Sequence, residues 1–178
     1  MLEGIIVKGV GGFYYVQTNE GIFECRARGL FREENITPLV GDNVKIQISK
    51  EDNTGYIKEI KPRKSQLLRP PVANITQVLI VMSVKKPDIN FWLLDRFLVM
   101  AEFENLNIHI CLNKIDLANE EKIQMINDIY TSAGYHIINT STTKDIGIEE
   151  LREQLKNNIT VFAGPSGVGK SSILNKIH

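Results

Sequence analysis

The sequence predicts two domains of different fold class: an all-β, OB-like barrel over residues 1–70 and an α/β doubly wound domain over residues 71–178. Period-two runs of β-branched and aromatic residues fill the chain as far as residue 61, and continuous apolar strands alternate with helical patterns after residue 77. Prolines at positions 62, 70 and 71 mark the boundary, because proline removes a backbone donor and restricts the residue before it.

The predicted barrel consists of four period-two runs separated by turn signals. The runs cover residues 5–18, 21–29, 44–49 and 56–61. The turn signals are Gly11-Gly12, Asn19-Glu20-Gly21, Gly41-Asp42-Asn43 and Asp52-Asn53-Thr54-Gly55, all rich in residues that tolerate positive φ. Four or five such strands in a short domain are typical of a small closed barrel, of which the OB barrel is the commonest kind.

The second domain alternates buried strands with helices. Strands are predicted at 78–84, 108–112, 136–139 and 159–163, and helices at 90–105, 120–133, 148–156 and from 169 onward. Strands that are apolar on both faces and joined by helices predict a parallel sheet. Ligands of such sheets bind at the carboxyl ends of the strands.

Composition excludes several classes of protein. The 178 residues carry 21 Lys+Arg and 21 Asp+Glu, so the net charge of +0 excludes a polycation or an acidic tail. The longest apolar run, 78–82, is far shorter than the roughly 20 residues of a membrane helix, and the amino terminus lacks an export signal. We therefore expect a cytoplasmic protein without a membrane partner. Cys25 and Cys111 have no CxxC spacing and are predicted to be buried thiols.

A phosphate-binding loop follows the fourth strand of the second domain. It has the pattern GxxxxGKS between a strand and a helix. The glycines let backbone N–H groups surround a polyphosphate. Lys170 is predicted to neutralise the β- and γ-phosphates, Ser171 to ligate Mg²⁺ and Ser172 to reach the α-phosphate. The loop residues are Gly164, Pro165, Ser166, Gly167, Val168, Gly169, Lys170, Ser171 and Ser172.

A second motif, Asn113-Lys114-Ile115-Asp116, ends the strand 108–112. The Asp116 carboxylate can accept two hydrogen bonds from the ring N–H and the amine of guanine, a donor pair that adenine lacks. The stem of Lys114 can lie against the base, and Asn113 can tie this loop to the phosphate loop. Alone, the pattern is equally compatible with a helix N-cap at Asp116. Beside a phosphate loop, guanine binding is favoured.

Two small residues end the next strand. Thr140 and Ser141 are predicted to present backbone N–H groups to the guanine oxygen, although an ordinary strand end is an alternative. In the barrel, Arg26, Arg28 and Arg32 cluster near aromatic residues, which suits a nucleic-acid face with cations on phosphates and aromatic rings under bases. A solvated barrel surface explains the arginines equally well.

The order of the motifs is the reverse of that in the usual guanine-nucleotide domain, because Asn113 precedes Lys170. A circular permutation explains this order and is tolerated when the original termini lie close together. With the barrel, the stretch 72–78, the helix residues 93–98 and the Thr140-Ser141 strand end, these motifs resemble the ribosome small-subunit-dependent GTPase A family of bacteria. The similarity runs over essentially the whole chain.

The resemblance implies a GTPase of ribosome biogenesis that binds the small ribosomal subunit, assists its late maturation and hydrolyses GTP to GDP and phosphate when the subunit stimulates it. GTP, GDP and Mg²⁺ are the implied ligands, with Asn113, Lys114 and Asp116 in the guanine motif and Thr140-Ser141 in support. The barrel is implied to contact ribosomal RNA, which favours the nucleic-acid interpretation of Arg26, Arg28 and Arg32. We expect a monomer.

The resemblance also implies parts that this sequence does not contain. The family has switch loops after the phosphate loop and a zinc-binding C-terminal domain, whereas this sequence ends at residue 178. We therefore expect a fragment of a longer protein, zinc only in that further domain, and no assignable catalytic residue. Two alternatives remain: an RNA-binding OB module with an inert, incomplete nucleotide site, and an ATP-using P-loop protein, which Asp116 disfavours.

Overall fold

The computed structural model describes residues 1–27, 29, 31, 36–49, 54–68 and 70–177. Contacts within the chain divide it into two compact units, Met1–Ile75 and Thr76–His178. The domain limits 1–70 and 71–178 stay predictions, since a division by contacts does not test independent folding. Arg28, Arg32 and the turn residues Asp52 and Asn53 lie outside the described residues.

The first unit contains a closed five-stranded barrel, as predicted. Its strands are β1 (Leu2–Val10), β2 (Phe13–Thr18), β3 (Gly21–Ala27), β4 (Asn43–Ile48) and β5 (Gly55–Ile60). They follow the order β1-β2-β3-β5-β4, and β1 also pairs with β4, which closes the barrel. The predicted run 5–18 forms two strands, because Gly11 and Gly12 adopt φ values of +59° and +83° and reverse the chain.

The barrel core is formed by inward-facing side chains from all five strands. Its fully buried members are Ile6, Val16, Cys25, Val44, Ile46 and Ile57. Cys25 is one of the two predicted buried thiols, and burial, with a smaller contribution from the charge of Glu24, raises its pKa to about 11. This cysteine therefore packs as a small apolar side chain and stays protonated at neutral pH.

A short hairpin that the sequence does not predict follows the barrel strands. It consists of β6 (Gln66–Leu68) and β7 (Pro71–Ala73), which pair antiparallel. The prolines at 70 and 71 are compatible with it because a two-stranded hairpin has only edge strands, where a missing backbone donor is tolerated.

An ion pair anchors this hairpin to the barrel. Asp42 is fully buried, and the guanidinium of Arg63 binds both of its carboxylate oxygens, with Nε 2.7 Å from Oδ1 and Nη2 2.8 Å from Oδ2. The remaining donors reach the Gln66 side chain and the Thr37 carbonyl oxygen, both at 2.7 Å. The backbone N–H of Leu39 also donates to Asp42. This planar, bidentate geometry suits arginine and not lysine.

We expect Arg63→Ala to destabilise the first unit by about 3 to 5 kcal/mol, because it leaves the Asp42 carboxylate buried without its partner. Arg63→Lys should fall between this variant and the wild type, since one ammonium group cannot replace a guanidinium that contacts three groups. Hydrogen exchange of the barrel amides measures the effect. The matched control is Lys45→Ala, which removes an exposed pair with Glu59 and should leave exchange nearly unchanged. Equal exchange in Arg63→Ala and this control would contradict the prediction.

The second unit is an α/β domain with a four-stranded parallel sheet, again as predicted. Its strands are β8 (Gln77–Ser83), β9 (Asn107–Asn113), β10 (His136–Asn139) and β11 (Thr160–Ala163). Its helices are α1 (Phe91–Phe103), α2 (Glu120–Ser132), α3 (Ile148–Leu155) and α4 (Lys170–Ile177). The strand order is β10-β9-β8-β11, and all three pairings are parallel.

Capping and burial explain the elements of this unit. The side chains of Asn90 and Asn119 cap α1 and α2 by accepting hydrogen bonds from the backbone N–H groups of Leu93 and Lys122. Every residue of β8 is buried, as expected for a central strand of a parallel sheet. Because all four strands run in one direction, the loops after β8, β9, β10 and β11 meet at one edge.

None of the described helices is long and apolar enough to cross a membrane.

Candidate functional site

The loop between β11 and α4 is held in a conformation that its glycines require. Gly164, Gly167 and Gly169 have φ values of +133°, +80° and +102°. A Cβ atom at Gly164 would lie 2.2 Å from the carbonyl oxygen of Val81, and one at Gly169 would lie 2.3 Å from the Asn113 amide nitrogen. Side chains at these two positions would push the loop away from β8 and from the end of β9.

Lys170 begins α4 and folds back over this loop. Its ammonium group donates to the carbonyl oxygens of Gly164 at 2.8 Å and Pro165 at 2.6 Å. An open cavity of about 350 Å³ lies beside it. Its lining consists of Lys114, Ser166, Gly167, Gly169, Lys170, Ser171 and Ser172. Val168 differs from the other loop residues, because its side chain is buried in the core and only its backbone borders the loop.

The end of β9 is hydrogen-bonded directly to this loop. The amide nitrogen of buried Asn113 donates to the Val168 carbonyl oxygen at 2.8 Å, and its amide oxygen accepts from the Thr140 hydroxyl at 3.1 Å. Lys114 adopts a left-handed conformation, with φ +61°, and its ammonium group donates to the Gly167 carbonyl oxygen at 2.6 Å. The two motifs therefore form one continuous surface, although more than fifty residues of sequence separate them.

A further contact of Lys114 was not predicted from the sequence. Its ammonium group also donates to the carbonyl oxygen of Lys86, in the loop after β8. Ser83, the last residue of β8, donates to the Pro87 carbonyl oxygen of the same loop at 2.6 Å. The position of this loop near the site can be predicted from the sequence, because the loop follows a buried parallel strand and therefore reaches the same edge of the sheet as the two motifs.

Asp116 lies in a short 3-10 turn, Ile115–Leu117, directly after Lys114. The Ser141 hydroxyl donates to its Oδ1 at 2.5 Å. This hydrogen bond is the main cause that lowers the pKa of Asp116, so the side chain is an anion at neutral pH. Ser141 in turn contacts the Thr143 hydroxyl at 3.0 Å and accepts from the Lys144 backbone N–H at 3.2 Å. This hydroxyl network fixes the orientation of the carboxylate.

Thr140 and Ser141 contact Asn113 and Asp116 through their hydroxyl groups, whereas the sequence predicts a role for their backbone donors. The Thr140 N–H donates to the Leu112 carbonyl oxygen at 2.9 Å, and the Ser141 N–H donates to the Ile146 carbonyl oxygen at 3.0 Å. Both donors are therefore already used by the backbone. Cys111, the second predicted buried thiol, lies 3.2 Å from the Thr140 hydroxyl, and burial raises its pKa to about 12.

In the barrel, the structure describes one of the three predicted RNA contacts. The exposed guanidinium of Arg26 lies 4.8 Å from the ring centroid of Phe13, and the Lys8 ammonium lies 5.2 Å from that of Tyr15. Arg28 and Arg32 lie outside the described residues.

Comparison with known proteins identifies the family. The family model for the RsgA GTPase matches residues 60–178, and that for the RsgA N-terminal domain matches residues 3–57. The chain belongs to the RsgA GTPase family. This confirms the family resemblance drawn from the motifs, the barrel and their order.

RsgA proteins of several bacteria match nearly the whole chain. The relative from Alkaliphilus metalliredigens is 49% identical over 178 residues, with 99% of this chain and 61% of the relative covered. That from Caldanaerobacter subterraneus subsp. tengcongensis is 50% identical over 176 residues, with 99% and 59% covered. Both are named small ribosomal subunit biogenesis GTPase RsgA. The chain thus spans about three fifths of the length of these relatives.

Two solved structures share the fold. YjeQ from Thermotoga maritima superimposes with a TM-score of 0.85 at 39% identity, covering 99% of this chain and 65% of that one. YloQ, described as a circularly permuted GTPase, gives a TM-score of 0.79 at 42% identity, covering 98% and 63%. The predicted fold class, an OB-like barrel followed by a circularly permuted P-loop domain, is confirmed.

Proposed function

We propose that this chain supplies the guanine-nucleotide site and the RNA-binding barrel of a GTPase that acts in the cytoplasm, as a monomer, on the small ribosomal subunit. The observation that carries the proposal is the direct hydrogen bonding between the two motifs, Asn113 to Val168 and Lys114 to Gly167. A phosphate loop alone would fit any nucleotide, and an isolated Asn-Lys-x-Asp sequence would fit a helix cap. Joined at one sheet edge, they select guanine nucleotides.

The phosphates of GTP or GDP would lie in the loop 164–169. The glycines support this placement, because a Cβ atom at two of them would collide with neighbouring groups and so disturb the loop backbone that would surround the phosphates. Lys170 would exchange the Gly164 and Pro165 carbonyl oxygens for phosphate oxygens. The α4 amino terminus adds partial positive charge, and Ser172 adds a hydroxyl group.

The donor set also fits Mg²⁺, which prefers hard oxygen ligands and keeps several waters. The Ser171 hydroxyl group is exposed on the lining of the cavity, beside the predicted phosphate position. It would supply one protein oxygen, and the nucleotide would supply others. When bound, the metal neutralises developing charge on the phosphates.

The base would contact Asp116, whose charge is maintained by the Ser141 hydroxyl. Guanine presents a ring N–H and an amine to this carboxylate, whereas adenine would leave the charge unmatched. The ammonium group of Lys114 is held by the carbonyl oxygens of Lys86 and Gly167, and the aliphatic stem of this side chain would cover one face of the guanine ring. Thr140 supports this arrangement by orienting Asn113.

The function in ribosome assembly follows from the family. Relatives that match nearly the whole chain are named for small-subunit biogenesis. The barrel surface supports an RNA contact, since Arg26 over Phe13 and Lys8 over Tyr15 combine cations with aromatic rings. The structural zinc that the resemblance implies would belong to a further domain of the family.

Phosphate release from GTP, measured with and without small ribosomal subunits, tests the proposed activity. We expect release that rises when subunits are added and is lost in Lys170→Ala. A full-length relative, such as that from Alkaliphilus metalliredigens, serves as the positive control for the subunits. Subunit binding by this chain without any phosphate release, while the relative turns over, would instead support the RNA-binding module with an inert nucleotide site.

Replacing Arg26, Arg28 and Arg32 together by Ala should weaken subunit binding and flatten its salt dependence. Each phosphate contact contributes about 0.7 to 0.9 to the slope of log affinity against log salt. Three lost contacts should therefore lower the magnitude of the slope by about 2 to 3. A matched triple variant on the other unit, Lys144, Lys156 and Lys176 to Ala, removes the same charge. If both variants changed the slope of log affinity against log salt equally, the three arginines would be ordinary solvated surface residues and not RNA contacts.

A further inference from the structure

Two histidines lie side by side on the sheet, away from the nucleotide site. His109 on β9 and His136 on β10 are direct register partners in the parallel pairing. Their Nδ1 atoms are 3.2 Å apart, and the rings stand at 90° with centroids 5.3 Å apart. The His136 side chain is 47% exposed, so solvent reaches the pair. Nothing in the nucleotide site or the RNA face uses these rings.

The outer nitrogen of His136 faces a carboxylate. Glu150, on α3, places its Oε1 3.7 Å from His136 Nε2. A carboxylate here favours the tautomer with the proton on Nε2, which leaves the Nδ1 lone pair directed toward His109. Burial, with a smaller contribution from His136, lowers the pKa of His109, so that ring is neutral at physiological pH. His109 Nδ1–H then donates to His136 Nδ1 across 3.2 Å, and a metal ion would take the place of this proton, which moves to His109 Nε2 through solvent.

The spacing of the two nitrogens matches that of two ligands on one metal ion. Bond lengths of about 2.0 to 2.1 Å and ligand angles between about 90° and 109° place two imidazole nitrogens about 2.9 to 3.4 Å apart. The observed separation of 3.2 Å falls within this range. The Glu150 carboxylate then has the position of the acceptor that usually holds the second N–H of a metal-bound histidine.

We propose that His109 and His136 form a two-histidine site for a late first-row transition-metal ion such as Ni²⁺, Cu²⁺ or Zn²⁺, bound through both Nδ1 atoms. Imidazole nitrogen is a preferred ligand of these ions. Among the described residues, no group of three or more His, Cys, Asp or Glu side chains is placed to hold a metal. Water therefore completes the coordination, and the ion exchanges readily.

Such an ion would join two strands that end in the guanine site. β9 ends at Asn113, and β10 leads into Thr140 and Ser141. A ligand that binds only the folded sheet raises its stability in proportion to the logarithm of its concentration over Kd. Metal binding would therefore raise the thermal midpoint of the second unit, whether or not nucleotide binds.

Calorimetric titration of the untagged chain with Ni²⁺ tests the site. The sequence contains three histidines, so His178→Gln is the matched control for His109→Gln and His136→Gln. We expect one Ni²⁺ per chain in the wild type and in the control, and loss of this binding in either of the other two variants. Glu150→Gln, a surface change that leaves both ligands in place, should weaken binding about tenfold.

The thermal midpoint supplies a second readout. Ni²⁺ should raise it in the wild type and in His178→Gln, and should leave it unchanged in the His109→Gln, His136→Gln double variant. Equal Ni²⁺ affinity in the double variant and the wild type would overturn the proposal. The proposal would also be overturned if Glu150→Gln bound Ni²⁺ with full affinity and Ni²⁺ left the thermal midpoint of the wild type unchanged. The two histidines would then form only a hydrogen-bonded pair.

Discussion

Lys170→Ala should weaken GDP and GTP binding by at least about 100-fold, because charge-assisted hydrogen bonds to phosphate contribute about 3 kcal/mol. The ammonium group of Lys170 lies beside the predicted phosphate position, within 2.8 Å of the Gly164 and Pro165 carbonyl oxygens. Removing it leaves two carbonyl groups that water can solvate, so the loop itself should persist. The loss therefore reflects the missing phosphate contact and not unfolding.

Fluorescence titration with labelled GDP in Mg²⁺ measures this loss. The matched control is Lys176→Ala, in the same helix α4, whose ammonium group pairs with the exposed carboxylate of Asp145 at 2.6 Å. This control removes one positive charge from α4 without touching the loop. If the two variants bound GDP equally well, Lys170 would have no place in the site.

Asp116→Asn should change the preferred base from guanine to xanthine. Xanthine carries a carbonyl group where guanine has its amine, so an amide N–H of asparagine can donate to it. The Ser141 hydroxyl can still donate to the amide oxygen, as it does now to Asp116 Oδ1 at 2.5 Å. The new side chain should therefore keep its orientation and direct its nitrogen at the base.

The expected size of this change in base preference is about 5- to 150-fold, because paired hydrogen bonds to a base discriminate by about 1 to 3 kcal/mol. Competition of GDP and xanthosine diphosphate for one labelled nucleotide measures the ratio. Asp145→Asn removes an equivalent exposed charge and should leave the preference for GDP intact. An unchanged preference in Asp116→Asn would remove this carboxylate from the base contact.

The residues of both motifs could be predicted from the sequence, because their chemistry depends on residue type and local order. Gly164 to Ser171 lie between a strand and a helix, and Asn113 to Asp116 end a strand, so parallel topology alone brings them to one edge. That Asn113 ties the two loops together was also predicted from its position. Its specific partner, the Val168 carbonyl oxygen, was not.

The remaining contacts depend on geometry that no pattern encodes. The hydroxyls of Thr140 and Ser141 act where backbone donors were predicted, because pairing with Leu112 and Ile146 already uses those donors. Lys86 contributes only a carbonyl oxygen, for which residue type gives no signal. In the barrel, Gly11-Gly12 is a turn signal in the sequence, and its positive φ values divide the run 5–18 into two strands. The β6–β7 hairpin, by contrast, lies where the prolines favour a linker.

The central claim is that the two motifs form one guanine-nucleotide site, and paired titrations of this chain with labelled GDP and labelled ADP in Mg²⁺ test it most directly. The account predicts saturable GDP binding, markedly weaker ADP binding, and loss of the GDP signal in both Lys170→Ala and Asp116→Asn. Because Asn113 and Lys114 hold the two loops together through Val168 and Gly167, both variants should affect one binding event. Equal affinities for GDP and ADP, or GDP binding that survives both substitutions, would contradict it.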